Sequence, residues 1–148
     1  EKTKVVKLRE VGASLDFLGY TFRYDRDLHG REHRYLNVLP SRKSQARARV
    51  KLRELTDSRW CCARITSVIA NVNTWLRGWS YYFSCGYPQQ AFRGIDNFVL
   101  HRLLRHLRRR SQRPCRPPAG TTYAVHLQAL GLQFLSVPPR RLPVNARD

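Results

Sequence analysis

The most regular stretch of the chain is ITSVIANVNTWLRGWSYYF, residues 65–83. Its apolar side chains recur every three or four residues, the spacing that places them on one face of an α-helix. That face consists of Val68, Ile69, Val72, Trp75, Leu76, Trp79, Tyr82 and Phe83. Large rings at helical spacing more often fill a core than stack on bases, so we assign both Trp75 and Trp79 to the core. The stretch predicts a long helix with one buried face.

Two neighbouring segments show the same helical period. The first runs from about Arg42 to Leu55, and Ser41 just before it is a candidate N-cap. The second runs from about Gln90 to Arg110. Together with the stretch at 65–83, these segments predict three amphipathic helices, which can enclose one bundle core.

The first 40 residues have the composition of β-structure. Leu15–Tyr24 is rich in aromatic and apolar residues, and Gly19 is the expected point of close backbone approach. A polar loop over residues 25–34 and the run Tyr35–Leu39 come next, which predicts an antiparallel hairpin. The β-formers within residues 5–8 predict a further extended segment at the start.

The predicted fold is therefore α+β and mostly α. Residues 1–40 supply the short β-hairpin, residues 41–112 supply the three-helix bundle, and residues 113–148 form a small extension. In that extension we expect a Pro-rich linker, a short helix capped by Thr121 or Thr122, and a loose tail.

The charge of the chain indicates the kind of partner it binds. Among its 148 residues, 28 Lys and Arg face 10 Asp and Glu, which leaves a formal net charge of +18. All but five of the basic residues are Arg, whose planar guanidinium pairs bidentately with phosphate and stacks on bases. Such a balance predicts binding to a polyanion. No apolar run is long enough to span a membrane and no amino-terminal signal pattern is present, so we expect no membrane partner and a cytoplasmic location.

The sequence offers no ligand set for a metal. The cysteines lack the paired spacing of a zinc site, and we expect them to be reduced: they are Cys61, Cys62, Cys85 and Cys115. None of the five histidines has ligand-like neighbours. Asp96, the lone acid of its helix, is expected to pair with an Arg or an inner polar group. We therefore expect no metal and no cofactor in this chain.

Candidate nucleic-acid contacts come from the basic helix faces. The third helix carries a run of Arg without acids to offset it, and the repulsion would be costly unless a polyanion lay across it, although a solvated face is the plainer alternative. In the 65–83 helix, polar residues interleave with the aromatic stripe, and Gly78 predicts close approach by a neighbouring helix or by nucleic acid. The candidates are Arg42, Lys43, Arg49, Arg53, Asn73, Arg77, Arg102, Arg105 and Arg109.

Two short motifs add a family resemblance. They are FLGYTF at residues 17–22 and LRGWSYYF at residues 76–83. In this order, and inside so basic a chain, the pair resembles the carboxyl-terminal part of group II intron-encoded reverse transcriptases, also called maturases. The first motif is similar to the primer-grip strand that ends their palm, and the second to a helix of their maturase-specific thumb, domain X. The resemblance implies a primer grip formed by Phe17, Leu18, Gly19 and Tyr20, with residues 1–40 as the palm end and 41–112 as the thumb.

The resemblance also implies what the chain lacks. Polymerisation needs metal-binding aspartates on a Tyr-X-Asp-Asp hairpin, which this sequence does not contain, so they are expected upstream. Lys2 is similar to a palm lysine proposed as general acid, a role it could have only in the full enzyme, where Mg²⁺ is expected. Without an initiator Met, the chain is similar to an excised fragment that is not catalytic alone.

The implied partners are group II intron RNA, an RNA template–DNA primer duplex, and the upstream fingers and palm. Binding intron RNA would assist splicing, and gripping the template–primer would serve reverse transcription. Two alternatives stay open: a stand-alone basic RNA-binding domain without polymerase activity, and a degenerate relic that folds but serves no function. The gene sequence upstream of this chain discriminates the stand-alone domain from the fragment.

Overall fold

A computed structural model describes residues 6–10, 12–26, 34–110 and 116–135 of the chain. Three strands precede the helices: β1 (Ser14–Phe17), β2 (Tyr20–Arg26) and β3 (Arg34–Pro40). The helices are α1 (Arg42–Leu55), α2 (Ile65–Tyr82), α3 (Gln89–Arg110) and α4 (Tyr123–Ala129), with a short 3₁₀ helix at Ser58–Trp60. This architecture confirms the prediction of an α+β, mostly helical fold.

The strands form one antiparallel sheet in the order β1-β2-β3. Leu18 and Gly19 alone connect β1 to β2, and both have positive φ, 48° and 83°. Such two-residue turns match the twist of the strands they join. The prediction of a single hairpin with one strand over Leu15–Tyr24 was therefore incomplete, because this segment folds back on itself. The predicted strand at residues 5–8 is wrong where it is described, since residues 6–10 have no strand. The predicted loop over residues 25–34 was too long, because Asp25 and Arg26 belong to β2 and Arg34 to β3; residues 27–33 lie outside the described part of the chain.

Helix α1 begins and ends where the sequence predicts. The side chain of Ser41 accepts a hydrogen bond from the backbone N–H of Ser44, at 3.2 Å, which confirms Ser41 as the N-cap. At the other end, the hydroxyl of Thr56 donates to the carbonyl of Leu52 at 2.6 Å. Thr56 is only 2% exposed, so both ends of the helix are held by buried or partly buried polar groups.

The core lies between the helices. Its fully buried side chains are Ala48 and Leu52 from α1, Val68, Ile69, Val72 and Leu76 from α2, Ile95, Val99 and Leu103 from α3, and Leu127 and Leu132 at the carboxyl end. Trp75 and Trp79 pack against this cluster and stack on each other with ring centroids 6.3 Å apart. Both are partly buried, which places the two indoles at the edge of the core, as predicted.

The segment around α4 packs on the bundle. The side chain of Thr122 accepts from the N–H of Val125 at 3.3 Å, which confirms the predicted cap of the last helix. Asp96 is 4% exposed, and its carboxylate accepts from the backbone N–H of Leu135 at 2.9 Å. This confirms that Asp96 pairs with an inner polar group. The predicted loose tail at 136–148 lies outside the described residues.

The sheet is fixed to the helices near the carboxyl-terminal end of β3. The N–H of Ser41 donates to the carbonyl of Gly19 at 2.8 Å, and the N–H of Tyr87 donates to the carbonyl of Val38 at 2.9 Å. Gly86, at φ 78°, lies so close to β3 that a Cβ there would be 2.3 Å from the carbonyl oxygen of Val38. Only glycine allows the α2–α3 connection to approach the strand in this way.

Candidate nucleic-acid interface

The turn between β1 and β2 packs on the carboxyl end of α2. The hydroxyl of Tyr82 donates to the carbonyl of Leu18 at 2.9 Å, and the hydroxyl of Tyr20 donates to the carbonyl of Tyr82. The rings of Tyr20 and Tyr82 stack with centroids 5.9 Å apart, and Tyr20 lies 5.0 Å from the ring of Phe83. The two sequence motifs at residues 17–22 and 76–83 therefore form one structural unit.

Gly19 is central to that unit. Its carbonyl accepts from the hydroxyl of Ser44 at 2.8 Å, and a Cβ at Gly19 would lie 2.9 Å from the same oxygen and 3.4 Å from the ring of Phe83. The close approach predicted for Gly19 is thus confirmed, and its neighbours come from both α1 and the end of α2. The turn has a fixed position relative to the bundle.

Large apolar side chains surround this turn on the outside. We call them the turn patch: Phe17, Leu18, Tyr81 and Tyr82, which are 59%, 68%, 84% and 54% exposed. Contiguous apolar side chains left in water usually mark a binding surface. Three of the four primer-grip residues inferred from the resemblance, Phe17, Leu18 and Tyr20, lie in or directly beside this patch.

The outer face of α2 leads into the turn patch. Arg77 and Tyr81 are one helical turn apart and both are exposed, as is Gly78. A Cβ at Gly78 would meet no described atom within 4 Å. The alternative that a neighbouring helix approaches Gly78 is therefore wrong for the described residues, and Gly78 lies on an open strip of helix.

A basic cleft lies between α1 and α3. A Cβ at Gly94 would be 3.9 Å from a guanidinium nitrogen of Arg49, so Arg49 lies across α3 at this glycine. One turn further along, the guanidinium of Arg53 lies 5.5 Å above the ring of Phe98. The cleft beyond has a volume of about 410 Å³ and is lined by Arg53, Phe98, His101, Arg102, Leu104, Arg105 and Arg108. We call Arg49, Arg53, His101, Arg105 and Arg108 the α1–α3 seam.

No acidic side chain among the described residues lines this cleft. Asp57, just beyond α1, interacts electrostatically with Arg102 and Arg109, which neighbour seam residues on α3. A hydrogen bond from the N–H of Arg59 holds the pKa of Asp57 below its ordinary value, and the charges of Arg59 and Arg109 add to this effect. The positive charge of the seam is therefore left for an external anion to neutralise.

Arg102 has an internal role. Its guanidinium donates to the hydroxyl and carbonyl oxygens of Thr56, at 2.9 and 3.2 Å, and to the carbonyl of Arg53 at 3.4 Å. Burial lowers the pKa of Arg102, and the charges of Arg109, Arg105 and Arg53 lower it further. Arg102 therefore caps the last carbonyls of α1, a function that its place in an Arg run did not reveal.

Asn73 is likewise engaged within the molecule. Its side-chain amide donates to the carbonyl of Gly131 at 2.7 Å, and its oxygen accepts from the N–H of Gln133 at 3.1 Å. Both ends of the amide hold the segment after α4 against α2. The exposed or partly exposed candidates on helix surfaces are Arg42, Lys43, Arg49, Arg53, Arg77, Arg105 and Arg109, whereas Lys2 lies outside the described residues.

The sequence left each histidine as either a surface or a packing residue, and His106 is a packing residue. His106 is 2% exposed, and within the part of the chain that the structure describes its Nε2 has no hydrogen-bond partner. Burial lowers the pKa of His106, and the charges of Arg110, Arg109 and Arg102 lower it further. The sequence pattern indicated this burial, because His106 follows Val99 and Leu103 at helical spacing on the buried face of α3.

The described residues show neither a metal cluster nor a membrane span. No group of three or more His, Cys, Asp or Glu side chains in ranges 6–10, 12–26, 34–110 and 116–135 could hold a metal ion. Cys61, Cys62 and Cys85 are free thiols in the same ranges, with the first two sulfur atoms 3.8 Å apart. None of the helices described here combines the length and apolarity needed to cross a bilayer.

Comparison with known proteins gives one match. Residues 45–123 match the family described as group II intron, maturase-specific domain. The matched range begins within α1 and ends at the first residue of α4, so it includes the α1–α3 seam and all of α2 and α3. No curated protein is significantly similar to the chain.

Proposed function

The chain belongs to the group II intron maturase-specific domain family, which gives it a role in intron splicing, and from this premise we propose that it binds the intron RNA through the α1–α3 seam. The observation that carries the proposal is the seam itself. Arg53 and Arg105 line one cleft between α1 and α3 that has no described acid in its lining, and Arg49 lies across α3 one helical turn before it. An RNA backbone laid along this groove would neutralise the charges.

The contribution to splicing would be non-covalent. Folded RNA brings phosphates close together, and cationic side chains held on rigid helices lower the repulsion between them. The ring of Phe98 forms a cation–π contact with the guanidinium of Arg53, which orders this group before RNA binds. The reaction itself would remain with the intron, and the protein would stabilise the folded form that reacts.

A second surface supports a grip on template–primer. The turn patch is apolar and exposed, and Arg77 lies one helical turn before Tyr81 on the same side of α2. Apolar and aromatic side chains can pack against sugars and bases while Arg77 contacts phosphate. Synthesis would require the metal-binding aspartates and the palm upstream, with Mg²⁺ and the Lys2 segment in place.

The first experiment measures binding of the chain to structured group II intron RNA and to a random RNA duplex of equal length across a salt series. Contact with about six phosphates would lower affinity by roughly 10³ between 50 and 200 mM salt. We expect the intron RNA to remain bound at salt concentrations that release the duplex.

The stand-alone alternative gives a different result. A generic basic domain would bind both RNAs equally and lose both with the same steep salt dependence. Weak binding that does not depend on salt would instead indicate a relic without function. Addition of the chain to a self-splicing reaction at low Mg²⁺ supplies the functional readout, because an assisting protein raises the fraction spliced.

A further inference from the structure

A second and larger cavity lies at the other end of the α1–α3 groove. Its volume is about 860 Å³, within the range of roughly 300–1,000 Å³ that is usual for small-molecule sites. The sheet forms one side, and the first turns of α1 and α3 form the other. Arg49 and Gly94 line it at the point where the seam begins, so the cavity opens onto the proposed RNA path.

The sheet side of the cavity is polar. Strand pairing places Ser14 opposite Arg23 and Asp16 opposite Thr21, and Arg23 also opposes Asn37 on β3. These side chains share one face of the sheet, because residues directly opposite in an antiparallel pair point to the same side. A sheet normally turns its apolar face to the helices that cover it. Here the covered face carries two carboxylates: Asp25, which pairs with Arg23, and Asp16, whose Oδ1 accepts a hydrogen bond from the hydroxyl of Thr21 at 2.5 Å.

The carboxylate of Asp25 is held in a fixed position on this wall. One oxygen, Oδ2, accepts from the guanidinium of Arg23 at 2.9 Å and from the amide of Asn37 at 2.6 Å. Asn37 is 9% exposed, and its own Oδ1 has no hydrogen-bond partner among the described residues. A buried acceptor without a donor is costly, so the wall carries unused capacity to accept a hydrogen bond.

The helix side is cationic. Arg42 and Arg49 line it from α1, and neither forms an ion pair with any described acid. Gln90 lines it from the first turn of α3 and is exposed. The cavity thus lies between a sheet wall that carries two carboxylates and one ion-paired guanidinium, that of Arg23, and a helix wall that carries two guanidinium groups without an ion pair to a described acid.

From these two walls we propose that the cavity binds one unpaired nucleotide of the RNA, with an amino-bearing base edge toward Asp16 and Asp25 and its phosphates on Arg42 and Arg49. This proposal rests on the proposed function, since the flanking nucleotides would continue along the seam. Adenine, cytosine and guanine present exocyclic amino donors to the carboxylates. Uracil has no exocyclic amino group, and its single N3–H donor lies between two carbonyl oxygens that the carboxylates would repel, so it would be disfavoured.

The test compares three RNA hairpins that differ at one position. One is fully paired, one carries a single unpaired adenosine, and one carries a single unpaired uridine. For the unaltered 148-residue chain, we expect the adenosine bulge to bind about tenfold more tightly than the paired hairpin, an effect of the size expected for one hydrogen bond to a carboxylate. The uridine bulge should bind within about twofold of the paired hairpin.

Asp25→Asn is the decisive variant, and Glu54→Gln is its matched control. Both changes remove one negative charge, but Glu54 pairs with Lys51 on the exposed side of α1 and does not line the cavity. We expect D25N to lose the adenosine preference and to gain affinity for the uridine bulge, because the new amide can donate to a carbonyl. E54Q should keep the unaltered preference.

A second pair of variants tests the same site on α1, so that the test does not depend on correct folding of D25N. Arg49→Met removes a guanidinium from the cavity, whereas Arg47→Met removes one from the exposed part of α1 outside it. The quantity to compare is the Kd of the paired hairpin divided by the Kd of the adenosine-bulge hairpin. We expect R49M to reduce this ratio and R47M to leave it unchanged. The ratio corrects for the general loss of affinity that any lost charge causes.

The outcomes separate this proposal from the proposed function. Equal binding of all three hairpins with a steep salt dependence would overturn the nucleotide site and leave RNA binding by the seam intact. Weak binding without salt dependence would overturn both. Retention of the adenosine preference in D25N and R49M would also contradict the assignment of this cavity.

Discussion

The hydroxyl of Tyr82 donates a hydrogen bond to the carbonyl of Leu18, across 64 residues of sequence, at 2.9 Å. Leu18 is in the left-handed region at φ 48°, an unfavourable conformation for a leucine. The bond from Tyr82, together with those to the carbonyl of Gly19, fixes the turn in this conformation. The position of the turn patch therefore depends on the end of α2.

Removal of the Tyr82 hydroxyl tests this dependence. Tyr82→Phe keeps the ring on Tyr20 but deletes the bond to Leu18, and we expect the free energy of unfolding to fall by about 0.5–1 kcal/mol. Tyr81→Phe is the control, since Tyr81 is 84% exposed. Urea denaturation of both variants measures the difference, and an unchanged stability for Y82F would contradict the role of the bond.

Substitution of Gly19 should be more severe. Gly19→Ala introduces a Cβ at φ 83°, 2.9 Å from the Ser44 hydroxyl, and we expect a loss of at least about 2 kcal/mol. Gly12→Ala is matched in backbone conformation, with φ 82°, but meets nothing within 4 Å. We expect G12A to lower the free energy of unfolding by only about 1 kcal/mol, because it introduces backbone strain and no close contact. Equal losses in the two variants would show that the contact with Ser44 is unimportant.

Variants of Arg102 and Arg105 should affect different properties, the first the stability of the fold and the second the affinity for RNA. Arg102→Met leaves the buried end of α1 without its donors, and we expect the free energy of unfolding to fall by about 1.5–3 kcal/mol. Arg105→Met changes an exposed side chain, so stability should stay within about 0.5 kcal/mol while RNA affinity falls. Thermal melts and RNA titrations of both variants measure the two effects. A stable R102M would contradict the cap.

The buried His106 predicts a dependence of stability on pH. Because its folded pKa lies below the ordinary value of 6.5, the unfolded chain takes up this proton first as the pH falls. The stability linked to the neutral imidazole is thus fully present above pH 6.5 and is lost as the pH falls through 6.5 toward the folded pKa.

The test replaces His106 by Leu, which cannot be protonated. Free energies of unfolding measured from about pH 7.5 to about pH 5 should decline less steeply for H106L than for the unaltered chain. His101→Leu is the control, since His101 is exposed on the same helix. At the upper pH, H106L should be as stable as the unaltered chain or more so, because it removes an unsatisfied buried nitrogen. If the free energies of unfolding of H106L and the unaltered chain declined equally with falling pH, the assignment of His106 as the source of the pH dependence would be contradicted.

The helices were predictable because their apolar period is strong. α1 matches its predicted bounds, and α2 and α3 differ from theirs by one residue at one end. Residue chemistry did not indicate the β1–β2 turn, since Leu-Gly lacks the Asn or Asp that normally marks a two-residue turn with positive φ, and only the family resemblance pointed to a tight turn there. The bond from Tyr82 to Leu18 holds that unusual turn, and a contact so distant in sequence leaves no local pattern.

The sequence predicted the type of candidate site, a basic helix surface, but not which residues form it. The Arg run of α3 correctly indicated a basic face, but charge alone does not distinguish an interface residue from an inward cap. Arg102 points to the end of α1 because Thr56 lies there, and Asn73 holds residues 131 and 133, both facts of tertiary structure. The polar face of the sheet was also hidden, because the cavity requires both the strand register and the position of α1.

The most direct test of RNA binding by the α1–α3 seam is the salt dependence of intron RNA affinity in two double variants. Arg53→Met with Arg105→Met removes two seam charges, and Arg47→Met with Arg64→Met removes two exposed charges outside the cleft. We predict that the seam variant reduces the slope of log K against log salt by about 1.4–1.8, while the control changes it by less than about half as much. Equal slopes in the two variants would contradict the seam as the RNA-binding surface.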